Sequence, residues 1–255
     1  MAKDYEVKIE NGKIVIVNQQ LLEPMELGIA IPYFGQYCQR CAHPLPLGSM
    51  CSAHRDDLEH LDQTLAVGVY YTQDVTREYG LWNMLTSLIL NLKNHMVVAP
   101  MLASAMAYVV ESGLFQVGVE DIDFITYVPK HPNELKIDTE SGASYNQAQL
   151  LANYIASYLN LPLEEVLEKK KPLSMQGLSL QDRYTKSQEV YQVREQLQSS
   201  IEDARILLID DVRTSGATAN VIAKKMKEAG TKKVYLLVAG RASYKDLFAE
   251  IISEK

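Results

Sequence analysis

Apolar and polar residues change their spacing along the chain, and each change predicts a different structure. Between Tyr5 and Val17 they alternate in two short runs, Glu6–Ile9 and Lys13–Val17, joined at Asn11-Gly12. Both joining residues tolerate positive φ, so this spacing predicts a β-hairpin. From Pro32 to Arg55 no period is sustained, and turn-forming residues and cysteines accumulate instead. That segment reads as a small knuckle held by something other than an apolar core. From Leu65 onward, strand and helix patterns alternate. Leu65–Tyr71, Asp123–Pro129, Glu165–Lys171, Arg205–Ile209 and Lys233–Val238 read as strands. Leu81, Leu85, Leu88, Ile89 and Leu92 share one helical face, and Pro100 suits the opening turn of the next helix. Ala148, Leu151, Ala152, Ile155, Ala156 and Leu159 form a further stripe, with Asn146 as its N-cap. A last helix runs through Ala229 to a stop at Gly230. Alternation of this kind predicts an α/β fold, a parallel sheet covered by helices on both faces. Three regions follow: a hairpin region over 1–31, a knuckle over 32–60 and the α/β domain over 61–255.

Composition narrows the function. A hydrophobic content of 47% over 255 residues supports a sizeable core, and the formal net charge is -7. An acidic chain lacks the cationic surface that releases counterions from phosphates, which argues against direct nucleic-acid binding. The apolar stretch Met96–Val110 is interrupted by Pro100 and Ser104. It is shorter than the ~20 residues that span a bilayer. Met1–Tyr5 leads into alternation rather than an apolar run, so no signal peptide is predicted and the cytoplasm is the expected location.

The segment Ile206-Leu207-Leu208-Ile209-Asp210-Asp211-Val212-Arg213-Thr214-Ser215-Gly216-Ala217-Thr218 carries the most chemistry. Four aliphatic residues predict a strand buried on both faces. Two carboxylates stand at its C-terminal end, where ligands gather in open α/β sheets. Small and hydroxyl-bearing residues then lead into a helix, whose first amides favour a phosphate, and Gly216 lets backbone approach a ligand closely.

In this order the segment resembles the signature of the type I phosphoribosyltransferases. The resemblance implies a Rossmann-like parallel sheet that binds 5-phosphoribosyl 1-pyrophosphate (PRPP) with Mg²⁺. Asp210 and Asp211 would hold the ribose hydroxyls of Mg²⁺–PRPP, and Arg213–Thr218 would wrap its 5′-phosphate. Lys130 and His131, in the loop after an earlier core strand, would grip pyrophosphate. The polar stretch Leu173–Gln198 would form a hood over the site, with Gln176-Gly177-Leu178-Ser179 and Arg183 in contact. Thr214 stands where enzymes salvaging 6-oxopurines carry an acid, so a hypoxanthine or guanine acceptor is not expected. Asp210, Asp211 and Lys130 are thus the candidate catalytic set.

The chain as a whole is similar to the ComF family. The likeness rests on the cysteine cluster, Leu92-Lys93, Val128-Pro129 with His131-Pro132, Tyr145-Asn146-Gln147-Ala148-Gln149-Leu150-Leu151-Ala152, Gln176-Gly177-Leu178-Ser179 with Arg183, and the 206–218 signature. Ser144-Tyr145 replaces the family's Gly-Phe, and the acidic Asp138-Thr139-Glu140 stands where arginines are usual. The resemblance implies transfer of a phosphoribosyl group to an unidentified, nitrogenous acceptor with release of pyrophosphate. It leaves open a non-catalytic PRPP sensor or an accessory of DNA uptake and processing, acting as a homodimer or beside a helicase.

Cys38-Gln39-Arg40-Cys41 and, after nine intervening residues, Cys51-Ser52-Ala53-His54 supply two ligand pairs of equal spacing. They predict a structural Cys₃His Zn²⁺ site with no open coordination position. His43 and His60 are substitutes for the fourth ligand.

Overall fold

A computed structural model describes residues 5–20, 23–33, 36–45, 60–173 and 180–243. Strands β1 (Tyr5–Glu10), β2 (Lys13–Asn18) and β3 (Pro24–Ile29) form an antiparallel sheet in that order. Asn11 and Gly12, with φ of 50° and 78°, turn the chain between β1 and β2. This is the conformation a tight hairpin demands. β3 has no counterpart in the sequence reading. Pro24 and Gly28 interrupt its alternation, and only Leu27 within it is fully buried. Ile14, Ile16, Leu27 and Ile31 join the same buried cluster as Leu65, Leu207 and Leu237.

The central sheet holds β4 (Gln63–Tyr71), β5 (Phe124–Tyr127), β8 (Arg205–Arg213) and β9 (Lys233–Ser243). All are parallel, in the order β4-β9-β8-β5. β6 (Leu167–Lys169) and β7 (Tyr191–Val193) pair antiparallel outside it. Ile206, Leu207, Leu208 and Ile209 are all fully buried in β8, as a strand covered on both faces requires. Helices α1 (Gln73–Tyr79), α2 (Met84–Asn91), α3 (Ala99–Glu111), α4 (Gln147–Leu159), α5 (Leu180–Val190) and α6 (Ala217–Glu228) complete the fold.

Local chemistry sets the helix ends. The Asn146 side chain accepts from the Ala148 amide at 3.0 Å and caps α4. The Asn83 side chain accepts from the Thr86 amide at 2.8 Å and starts α2, which leaves Leu81 outside the helix. Pro100 occupies the first turn of α3. Beyond α6, Gly230 takes a φ of 96° while Thr231 donates back to the Met226 carbonyl at 3.1 Å.

The structure adds to two expectations. The stretch read as a polar hood, Leu173–Gln198, carries regular secondary structure among its described residues. It contains α5, which packs against α6, followed by β7. α5 gives little apolar signal because Ser187 and Val190 are the residues it is seen to bury. The last strand also runs on past Val238 to Ser243, so Gly240 and Arg241 lie inside the sheet.

Candidate functional site

Register places the diacid where the sheet opens. β5 pairs with β8 only as far as Tyr127 opposite Ile209, while β9 continues beside Asp210, Val212 and Arg213. The Val128 amide donates to the Ile209 carbonyl at 3.0 Å, after which the chain leaves the sheet toward Lys130. Asp210 therefore has a strand on one side and a departing loop on the other.

Two adjoining cavities meet at this point. The smaller, of about 100 Å³, is enclosed by Asp210, Val212, Arg213–Ala219 and Leu236. It has room for a few waters at about 30 Å³ each, the scale of one phosphate group. Gly216 takes a φ of 79°, and α6 begins at the next residue. The first amides of a helix have no intrahelical acceptor, so they are open to an anion. The larger cleft, about 900 Å³, shares Asp210 and Thr218 with the first and is bounded by Val128, Pro129 and Lys130.

The carboxylates differ in their surroundings. Asp210 borders both cavities. Asp211 borders neither, since successive residues of a strand face opposite sides. Asp210 Oδ1 accepts from the Asp211 amide at 2.9 Å, and Asp211 Oδ1 accepts from the Val212 amide at 2.8 Å. Burial, and next the charge of Asp211, push the Asp210 carboxyl well above its usual range. Burial lowers the Lys130 ammonium, against the pull of Asp211 and Asp210, and its Nζ donates to Gln147 Oε1.

Arg213 does not reach outward as a wrapping residue would. It is buried, donates through Nη1 to the Thr64 hydroxyl, and runs beneath Gly216. A β-carbon on Gly216 would meet the guanidinium at 2.8 Å. Ser215 Oγ accepts from the Ala217 amide at 3.4 Å, and Thr214 is exposed at the rim. His131 caps a short turn by accepting from the Asn133 amide at 3.3 Å, and it borders neither cavity. Arg183 belongs to α5, while Gln176 lies outside the described residues.

Arg241 was not foreseen. It is buried, and Nη1 donates to the carbonyls of Thr214 at 2.8 Å, Arg213 at 3.1 Å and Ala242 at 3.1 Å. Its Nε donates to the Cys41 carbonyl at 2.9 Å. The visible signal is one arginine within the apolar run Tyr235–Ala242. Glu134 was missed too. It accepts from Lys169 Nζ at 2.6 and 2.7 Å, from the Leu173 amide at 2.7 Å and from the His131 amide at 3.1 Å.

Cys38 and Cys41 are buried on one tight turn, in which the Ala42 amide donates to the Cys38 carbonyl at 2.9 Å. Burial, then the nearby Arg241 charge, lower the His43 imidazole to about 4. It is therefore neutral at physiological pH, as a metal ligand must be. Cys51 and His54 lie outside the described residues. Among the described residues no three candidate ligands converge on a metal position. Nor is any helix among them long and apolar enough to cross a membrane.

No protein-family model matches the chain. Competence protein F of Haemophilus influenzae is 29% identical over 100 residues, which span 38% of this chain and 43% of that protein. Three solved structures superpose weakly. The allosteric regulatory enzyme of purine biosynthesis gives a TM-score of 0.32 at 16% identity, over 90% of this chain and 36% of that one. A purine phosphoribosyltransferase from Pyrococcus horikoshii Ot3 gives 0.32 at 13%, over 56% and 84%. Glutamine PRPP amidotransferase from B. subtilis, complexed with ADP and GMP, gives 0.31 at 15%, over 91% and 36%. Superpositions at that level do not define a shared fold. In sequence, the chain is similar to the ComF-type proteins, and its 206–218 segment to the type I phosphoribosyltransferase signature.

Proposed function

We propose that the chain binds PRPP with Mg²⁺ and transfers its phosphoribosyl group to a nitrogenous acceptor, releasing pyrophosphate. The observation that supports this most is the enclosure of one small cavity by Asp210 and the 213–219 turn, opening onto a cleft that Lys130 borders. In this reading the open amides at the start of α6, with Ser215 and Thr218, take the 5′-phosphate. Asp210 accepts hydrogen bonds from the ribose hydroxyls. Lys130 offers its ammonium to the departing pyrophosphate. Asp211 acts through its charge, which raises Asp210 and partly offsets the burial that lowers Lys130. Gln176 and Arg183 would close over the donor and keep water from the oxocarbenium-like ribose.

Two crowded carboxylates beside a cleft fit a donor that arrives with a divalent cation. Asp210 would face the metal-bearing donor, with Asp211 acting from behind it through its charge, and Mg²⁺, when bound, would neutralise charge on the leaving pyrophosphate. The remaining rate enhancement would come from positioning and fixed electrostatics. Zn²⁺ held by Cys38, Cys41, Cys51 and His54 would be structural and would steady the turn whose Cys41 carbonyl meets Arg241.

A second reading has the chain sense PRPP without turnover, as an accessory to DNA uptake. It draws on the name of the Haemophilus influenzae relative. A screen of nucleobases and other amines for pyrophosphate release separates the two. Release that depends on an acceptor supports transfer, whereas tight donor binding with no release under any acceptor supports sensing.

A further inference from the structure

The larger cleft has an excess of positive charge that the donor reading does not use. Lys93, Lys130, Lys136 and Lys169 border it, against the carboxylates of Glu134 and Asp210. This stands out on a chain of formal net charge -7. Two of the four ammonium groups are accounted for. Lys169 is bonded to Glu134, lies over the Tyr191 ring with Nζ 5.3 Å from its centroid, and is almost fully buried. Lys130 feels the charges of Asp211 and Asp210 and is bonded to Gln147.

Glu134 cannot neutralise the others. Its oxygens already receive Lys169 and the amides of Leu173 and His131. The ammonium groups of Lys93 and Lys136 make no hydrogen bond or ion pair among the described residues. Asp138, which the sequence suggested as a local acid, turns inward instead and is buried. Pro172, Leu173 and Tyr191 give the same cleft an apolar wall suited to a flat ring.

We infer that this cleft takes an anionic acceptor, a small nitrogen-containing ring bearing a carboxylate or similar acid group, which Lys93 and Lys136 hold. The inference rests on the donor reading above. A donor that carries its own divalent cation brings neutralisation for its pyrophosphate, and Lys130 stands beside the carboxylates where that group would depart. Two further cations in the adjoining space then match an acid on the second substrate. Charge-assisted hydrogen bonds to such a group are about twice as strong as neutral ones.

The test compares matched pairs that differ in one acid group: uracil against its 6-carboxylate, and pyridine-3-carboxamide against pyridine-3-carboxylate. Each is titrated into the full chain holding Mg²⁺ and PRPP. The inference predicts that the acid of at least one pair binds about tenfold or more tighter than its neutral mate. Replacing both lysines (Lys93→Met with Lys136→Met) should erase that advantage while leaving donor Kd within about twofold. Lys130→Met should instead weaken the donor. Equal binding by acids and neutral mates, or no binding by any acid, overturns the inference. So does a double variant that weakens PRPP as much as Lys130→Met, since that assigns the lysines to pyrophosphate. If PRPP itself does not bind, the donor reading fails first and takes this inference with it.

Discussion

The Arg241 guanidinium donates to the Thr214 carbonyl at 2.8 Å, and the same side chain reaches the Cys41 carbonyl at 2.9 Å. One buried cation thus ties the turn around the smaller cavity to the cysteine segment, which lies 200 residues away in sequence. Arg241→Ala leaves buried carbonyls without donors. It should cost about 3 kcal/mol of stability, the upper range for hydrogen bonds to a charged group. Lysine keeps the charge but not the planar fork. Arg241→Lys should therefore recover part of the stability and little of the donor affinity. Chemical denaturation alongside donor titration checks both outcomes.

Gly216 sits above the Arg213 guanidinium in the left-handed region, with a φ of 79°. An alanine there carries about 1–2 kcal/mol of backbone strain and collides with a buried side chain. Gly216→Ala should weaken PRPP binding about tenfold or more while the fold persists. Calorimetry with a far-UV CD melt separates the two effects. Donor affinity equal to that of the parent chain would show that the turn does not shape the site.

The acidity of Asp210 gives a pH signature. Burial and the Asp211 charge raise it in the folded protein, so the native state holds this proton more tightly than the unfolded chain. That contribution is complete below the ordinary aspartate value of about 3.9 and is lost as pH rises through the raised folded value. Asparagine escapes the loss. Asp210→Asn should have a higher Tm than the parent at neutral pH in the absence of ligand, with the gap closing toward pH 4. A gap of constant size across that range would contradict the assignment.

Asp138 behaves in the opposite sense. Bonds from the Ser141 hydroxyl at 2.6 Å, the Met96 amide at 2.8 Å and the Ser141 amide at 2.8 Å hold it down to about 2. Its contribution is present above about pH 4 and is lost as pH falls toward 2. Asp138→Asn should destabilise the protein at pH 7, and the difference should vanish near pH 2. Thermal melts of both proteins across that range provide the comparison.

What could be read from the sequence followed residue type. Ile206–Ile209 declare a buried strand, and Asp210 with Gly216 declares its open end, because each needs its residue locally. The Asn146 cap and the Asn11-Gly12 turn are local in the same sense. α1 escaped notice because Val75 is its sole buried residue, and α5 because it is polar. The role of Arg241 depends on carbonyls from two distant segments, which no local pattern records. The cleft is equally non-local: Lys93, Lys136 and Lys169 come from separate elements and meet only after folding. Alternation along β8 also separates Asp210 from Asp211, which the side-by-side pair in the sequence conceals.

The most direct test is isothermal titration of PRPP into the full chain with Mg²⁺, in parallel with Asp210→Asn. The account predicts saturable binding at one site per chain, weakened about tenfold or more by the substitution. Absence of saturable heat in the parent protein, or equal affinity in the variant, would contradict it.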